Sequence, residues 1–190
     1  LGLTLQSTRR FGEAISCYKK ALSIKPDFAD AHNNLGNALK DEGNLKEAIK
    51  AYKKAISLRL NYAEAHNNLG VVFQEEGALT KAIECYKKAF SIKPNFADAY
   101  YNIANTLKEQ RKLNEAIQTY KKAISLRPDY VEANYNLSLV YLLNGKLEKG
   151  LKLYEWRYRK KREIRTRAPR EKLYWNGLEP IKGKRFLVFE

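Results

Sequence analysis

The 190-residue sequence contains no methionine, only two cysteines and two tryptophans, and no long apolar run. A membrane-spanning helix needs ~20 mostly apolar residues in succession, so a membrane protein of that kind is excluded. Two cysteines, Cys17 and Cys85, cannot build a disulfide framework, and neither belongs to a pair with metal-ligand spacing. No Ser-His-Asp set and no Gly-rich phosphate loop is present, so there is no catalytic residue, cofactor site or metal site to nominate. Hydrophobic residues nevertheless make up 44% of the chain, which is a folding composition and not a disordered one. The absence of methionine, with residue 1 falling inside a helical unit, leads us to read the chain as an internal piece of a longer one, in which the lack of a leader carries no information.

What is present is repetition. Residues Ala29 to Tyr62 return as Ala63 to Phe96 and again as Ala97 to Tyr130, each 34 residues long. Residues 131–161 form a fourth, degenerate unit, and residues 1–28 match the back part of the same unit in the same register. A fixed period of this size indicates stacked supersecondary units. With positions counted 1 to 34 from Ala29, apolar or small residues fall at 3, 7, 8, 10 and 11 and again at 17, 20, 21, 24, 27 and 28. Steps of three and four place each set on one helix face, so each unit is expected to be two helices of about 14 residues.

The punctuation fits that expectation. Position 15 is Gly43, Gly77 and Gly145, suited to the left-handed turn that ends a helix; Arg9 and Arg111 occupy it in two units. Pro26, Pro94 and Pro128 stop the second helix at position 32, where Leu60 is the exception. Asp27, Asn61, Asn95 and Asp129 at position 33 are followed three residues on by Asp30, Glu64, Asp98 and Glu132, an arrangement expected to cap the first helix. Gly36 and Gly70 at position 8 leave space that Tyr52 or Tyr86 can fill. One helix pair cannot cover its own apolar faces, so the pairs are expected to stack into a curved one-dimensional array.

Leu at 7, Gly at 8, Gly at 15, Ala at 20, an aromatic at 24, Ala at 27 and Pro at 32 resemble the tetratricopeptide repeat over residues 1–161. Position 4 departs from the family, which often has Trp there; this chain has His32, His66, Tyr100 and Asn134. The resemblance implies an all-α, right-handed superhelical solenoid of antiparallel helix pairs. First helices would line its concave face, with positions 2, 5, 6, 9, 12 and 13 pointing inward. Position 6 is Asn in every unit: Asn34, Asn68, Asn102 and Asn136. Position 5 is Asn33, Asn67, Tyr101 and Tyr135, and position 9 adds Asn37 and Asn105. An amide offers both a donor and an acceptor, which suits the backbone of an extended peptide. In tetratricopeptide proteins resembling the O-linked N-acetylglucosamine transferases, an asparagine ladder at position 6 holds peptide backbone, and the resemblance extends that role to the four position-6 asparagines. The alternative is that these amides bond the neighbouring repeat. Carboxylate-clamp repeats carry Lys at position 5, so a free C-terminal carboxylate is not the expected ligand here. His32 and His66 sit one repeat apart with no third ligand nearby, which points to packing and not to a metal.

The net charge of +15 invites a nucleic-acid reading. Its distribution argues otherwise. Lysine pairs recur at positions 25 and 26 (Lys19–Lys20, Lys53–Lys54, Lys87–Lys88, Lys121–Lys122), and Lys25, Arg59, Lys93 and Arg127 stand at position 31. Cations in the last turns of helices suit the helix dipole, so a solvated outer face accounts for them. Cys17 and Cys85 share position 23 two repeats apart. Helix layers of about 8–10 Å put them beyond the ~7 Å reach of a disulfide. Free thiols fit a reducing, cytoplasmic compartment.

The fourth unit changes character, with Gly150, Trp156 and Arg157 at positions 20, 26 and 27. A basic stretch follows: residues 155–172 hold nine Lys or Arg against three Glu, a net +6. We divide the end of the chain into a basic, non-helical linker over 162–180 and a strand over 181–190. Tyr154-Glu-Trp-Arg157, Trp175-Asn-Gly177 and Gly183-Lys-Arg-Phe-Leu-Val188 resemble the junction in bacterial proteins that fuse tetratricopeptide repeats to a glycosyltransferase-like domain. That resemblance implies a downstream nucleotide-sugar-binding α/β domain in the same chain, with no catalytic residue inside this sequence. The expected function is therefore recognition of extended polypeptide in a groove, by a fragment that is not itself an enzyme; the alternative is recruitment of substrate for a downstream glycosyltransferase.

Overall fold

A computed structural model describes residues 2–162. The non-helical linker expected to begin at residue 162 does not do so, because Arg162 is the last residue of a helix; the rest of that linker and the strand expected over 181–190 lie outside the described residues. Within them the chain is all helix: α1 (Gly2–Ser7), α2 (Phe11–Ile24), α3 (Ala29–Asp41), α4 (Leu45–Leu58), α5 (Ala63–Glu75), α6 (Leu79–Ile92), α7 (Ala97–Glu109), α8 (Leu113–Leu126), α9 (Val131–Leu143), α10 (Leu147–Tyr154) and α11 (Trp156–Arg162). From α1 to α10 each helix packs on the next, and α3, α5, α7 and α9 also touch in succession, so the first helices form a continuous layer. This is a solenoid of antiparallel helix pairs.

The turns follow the sequence punctuation. Gly43, Gly77 and Gly145 have φ of 89°, 74° and 71°, and Arg9 and Arg111 adopt the same left-handed conformation at 59° and 61°. Each arginine there costs about 1 kcal/mol, which packing on both sides of the turn offsets. Position 8 is a close approach: a Cβ on Gly36 would lie 2.6 Å from Cε1 of Tyr52, and one on Gly70 2.5 Å from Cε1 of Tyr86. Tyr52 and Tyr86 fill the space these glycines leave, and Tyr120, facing Ala104 at position 8, is likewise fully buried.

Two expectations need correction. The residues at position 33 do not cap the first helices. The N-cap is the following residue, Phe28, Tyr62, Phe96 or Tyr130, without a side-chain cap bond. The position-2 acids instead meet the cations at position 31 across the helix pair. Arg59 donates to both carboxylate oxygens of Asp30 at 2.9 Å, Arg127 does so to Asp98 at 3.0 and 3.1 Å, and Lys93 Nζ reaches Glu64 at 2.9 Å. Those three cations are therefore tethered and not simply solvated. Each also lies over the aromatic at position 34: Arg59 over Tyr62 at 4.5 Å, Arg127 over Tyr130 at 4.4 Å and Lys93 over Phe96 at 5.0 Å. A charged arm carrying several donors outcompetes the single backbone N–H that a local cap would offer the acid.

The last unit also differs from its predecessors. Its second helix breaks at Glu155, and α11 packs back on α9. Arg157 lies 4.3 Å from the Tyr154 ring and 4.4 Å from the Tyr158 ring, and Tyr154 packs on Tyr135 at 5.8 Å. Gly150 permits close packing on Leu142, since a Cβ there would stand 2.6 Å from Leu142 Cδ2.

Candidate functional site

The first helices carry every candidate residue, and the helix repeat fixes which of them meet. Asn34, Asn68, Asn102 and Asn136 are all partly exposed, one per repeat. Their neighbours at position 5 are not equivalent: Asn33 and Asn67 are 6% and 8% exposed, buried between repeats, while Tyr101 and Tyr135 are half-buried.

The amides are wired sideways. Asn68 Nδ2 donates to Asn33 Oδ1 and Asn37 Oδ1, both at 3.1 Å. Asn136 Nδ2 donates to Tyr101 Oη at 3.1 Å and Asn105 Oδ1 at 3.0 Å. Asn102 Nδ2 donates once, to Asn67 Oδ1 at 2.9 Å, because position 9 of the preceding unit is Val71 and supplies no acceptor. Asn34 makes no side-chain hydrogen bond among the described residues. The NH2 arms of three of these asparagines thus join neighbouring repeats.

A buried tyrosine continues each network. Tyr52 Oη donates to Asn37 Oδ1 at 2.7 Å, and the Tyr120 hydroxyl donates to Asn105 Oδ1. In the unit that has Val71, Tyr86 Oη turns to Gln74 Oε1 at 2.9 Å, which also accepts from Thr106 Oγ1 at 3.1 Å. Burial raises the pKa of Tyr52, Tyr86 and Tyr120, so all three remain protonated donors at neutral pH.

The carbonyl arms differ from the amide arms. Among the described residues the buried side-chain nitrogens and oxygens without a partner are Tyr18 Oη and Gln110 Oε1. The Oδ1 atoms of Asn68, Asn102 and Asn136 accept no bond and are not among them, so they are reachable by solvent. The same holds for the Asn37 NH2.

Position 4 serves the loops. His32 Nε2 lies 2.9 Å from the Pro26 carbonyl, and Asn134 Nδ2 donates to the Pro128 and Tyr130 carbonyls at 3.2 and 2.9 Å. These two tie the first helix to the preceding turn, whereas Tyr100 stacks on Phe90 at 5.1 Å; burial lowers the His66 pKa, favouring the neutral ring. Cys17 and Cys85 are free thiols, the latter pushed up to about 11 chiefly by burial. Among the described residues no helix is long and apolar enough to cross a membrane.

The bonds between repeats match the alternative that the sequence offered for these amides; which amides are bonded twice went unread, although a signal was available. Asn at position 9 appears only in Asn37 and Asn105, one repeat before the two asparagines with doubly bonded amides.

Comparison with known proteins bears on the same segment. A family model described as the TPR repeat matches at residues 10–43, 36–77, 73–111 and 104–145. No curated protein matches. Among solved structures, the crystal structure of MamA is 27% identical, with a TM-score of 0.72 over 86% of this chain and 96% of that one. PilF of Pseudomonas aeruginosa is 21% identical, with a TM-score of 0.78 over 84% and 72% of the two chains. YrrB, described as a TPR protein with an unusual peptide-binding site, is 22% identical, with a TM-score of 0.62 over 82% and 80%. At these identities PilF and YrrB share the fold with this chain.

Proposed function

Because the chain belongs to the TPR repeat family, we propose that it works as a protein-interaction module and not as an enzyme, holding an extended polypeptide along the face of its first helices. The observation that carries this reading is the row of solvent-reachable Asn carbonyls at Asn68, Asn102 and Asn136, aligned by bonds on their other arm. Asn34 begins the row. A polypeptide backbone presents N–H donors that such acceptors can meet, irrespective of side-chain identity. Preorganisation helps, because an amide already pinned by its neighbours loses little freedom when a ligand arrives. Tyr101 and Tyr135 add aromatic surface beside the row.

The test starts from a 12-residue peptide selected against the chain from a displayed random library. Titrated into labelled protein, it should shift the side-chain amide resonances of Asn34, Asn68, Asn102 and Asn136. Shifts confined to the second helices and their lysine pairs would overturn the reading.

A second reading rests on the motifs at Tyr154–Arg157, Trp175–Gly177 and Gly183–Val188, most of which lie outside the described residues. In it the groove recruits substrate to a glycosyltransferase-like domain encoded further on. A strand-helix alternation with a Gly-rich loop after Glu190 in the reading frame would support it; a stop codon or further repeats would remove it.

A further inference from the structure

The 34-residue units are not all alike: they alternate. Position 31 runs Lys25, Arg59, Lys93, Arg127; position 34 runs Phe28, Tyr62, Phe96, Tyr130; position 2 runs Asp30, Glu64, Asp98, Glu132. Position 9 runs Asn37, Val71, Asn105, Leu139, so polar and apolar residues alternate on the ligand-facing helices. The chemical period of the array is therefore two helix pairs, or 68 residues.

The alternation changes what the groove can offer. At the first interface, Asn37 Oδ1 is occupied by Tyr52 Oη and Asn68 Nδ2, leaving its NH2 as an open donor. Both N–H groups of Asn68 are occupied, leaving its carbonyl as an open acceptor held in one orientation. A donor and an acceptor side by side match the C=O and N–H of a polypeptide backbone. Two repeats on, Asn105 and Asn136 reproduce the wiring, with the Tyr120 hydroxyl in place of Tyr52 and Tyr101 in place of Asn33. There the Asn105 amide also has the Tyr101 hydroxyl beside it, so its donor is shared. Between these interfaces stands Val71, which has no donor, and Asn102, whose amide is held by a single bond.

We infer that the groove grips an extended chain firmly at two backbone positions, one at Asn37 and Asn68 and one at Asn105 and Asn136, and that the Val71 interface between them, with no donor at position 9 and a singly bonded Asn102, makes a weaker contact. The inference rests on the polypeptide-binding reading above. Since α3 touches α5 and α5 touches α7, successive first helices are neighbours about 8–10 Å apart, and two steps cover about 16–20 Å. An extended strand rises about 3.3 Å per residue, so the two gripped positions are about five to six residues apart in the ligand.

The experiment is a backbone N-methyl scan of the library-selected peptide against the unmodified chain. N-methylation removes one donor at a time without altering the side chain. Two sensitive positions about five to six residues apart are expected, each weakening binding about three- to tenfold, with tolerant positions between. Val71→Asn should then create a third sensitive position midway. Sensitivity at a spacing of about three residues, at contiguous residues, or at one position only would overturn the two-repeat grip while leaving groove binding intact. A peptide that fails to shift the position-6 amides at all would overturn the underlying reading, and this inference with it.

Discussion

Truncating the position-6 asparagines one at a time should cost stability in proportion to the bonds each amide makes. Asn34 makes none among the described residues, Asn102 donates one, and Asn68 and Asn136 donate two each. A net intramolecular hydrogen bond is worth about 0.5–1.5 kcal/mol, and Asn→Ala in a helix recovers roughly 0.5 kcal/mol of propensity. Asn34→Ala should therefore be neutral or stabilising by up to about 0.5 kcal/mol. Asn102→Ala should lie between neutral and a loss of about 1 kcal/mol, and Asn68→Ala and Asn136→Ala should lose about 0.5–2.5 kcal/mol. Asn68→Ala belongs at the upper end, because it strands the carbonyl of Asn33, which is only 6% exposed. Asn37 keeps its Tyr52 donor and is less affected. Urea titrations at constant slope give the order directly. If Asn34→Ala costs as much as Asn68→Ala, or if the four variants unfold together, the amides are not the ties between repeats that their geometry makes them. The same series separates glue from grip. Asn68→Asp retains an acceptor facing the groove but loses both donors to the neighbouring repeat, so it should lose stability even where peptide contact survives.

Gly70→Ala should lower the thermal midpoint: the new Cβ would sit 2.5 Å from Tyr86 Cε1 and 2.7 Å from Cδ1, and overpacking of about 1–3 kcal/mol outweighs the ~1 kcal/mol gained in helix propensity; an unchanged or higher midpoint would show that the ring can retreat. Hydrogen bonds from Arg59 hold the Asp30 carboxyl below its usual pKa, and Lys93 does the same for Glu64. Depressed carboxylates stabilise the fold at pH values above the unfolded value of about 4 and lose that contribution as pH falls through the folded value. Asp30→Asn should accordingly flatten the acid limb of a stability–pH curve below about pH 4, by less than about 1 kcal/mol because the pair is half-exposed, and an identical acid limb in the variant would count against the ion pair. Cys85, pushed up to about 11, should react slowly with iodoacetamide at pH 8 and speed up about tenfold per pH unit until near that value; a free-cysteine rate at pH 8 would contradict its burial.

Much of the fold was legible because its rules act within one unit. The left-handed turn at Gly43, Gly77 and Gly145, and the hollow that Gly36 and Gly70 leave for Tyr52 and Tyr86, each involve residues a single 34-residue period explains. The misassigned acids show where that reasoning stops. Asp30 lies three residues after Asp27, which resembles a local cap, yet its partner is Arg59, 29 residues away across the helix pair. Chain-local rules weight the nearer residue, whereas folding brings the longer and charged arm into a bidentate geometry that the single backbone N–H of a local cap cannot match. Aligning the units column by column also treated Lys with Arg, Asp with Glu and Phe with Tyr as equivalent. Those interchanges carry the alternation: Tyr62 and Tyr130 have hydroxyls that donate to Asp30 and Asp98 at 2.7 and 2.8 Å, and Phe96 has none to give Glu64.

The asparagine ladder makes the remaining point about the site. Asn at position 6 in four units is demanded equally by a backbone ligand and by bonds between repeats, so its recurrence alone does not distinguish the two. Posed as alternatives, the two roles compete for one side chain. The geometry removes the competition, because an amide has two chemically different ends. At Asn68 and Asn136 the donor end is spent on the neighbouring repeat, and the acceptor end is thereby fixed toward solvent. At Asn102 one donor is spent, so the same residue in the same column is held less firmly. What sets the difference is the preceding position 9, Asn37 or Asn105 in one case and Val71 in the other. The residue at position 9 thus decides how firmly each acceptor is held, a difference between units that no single repeat reveals.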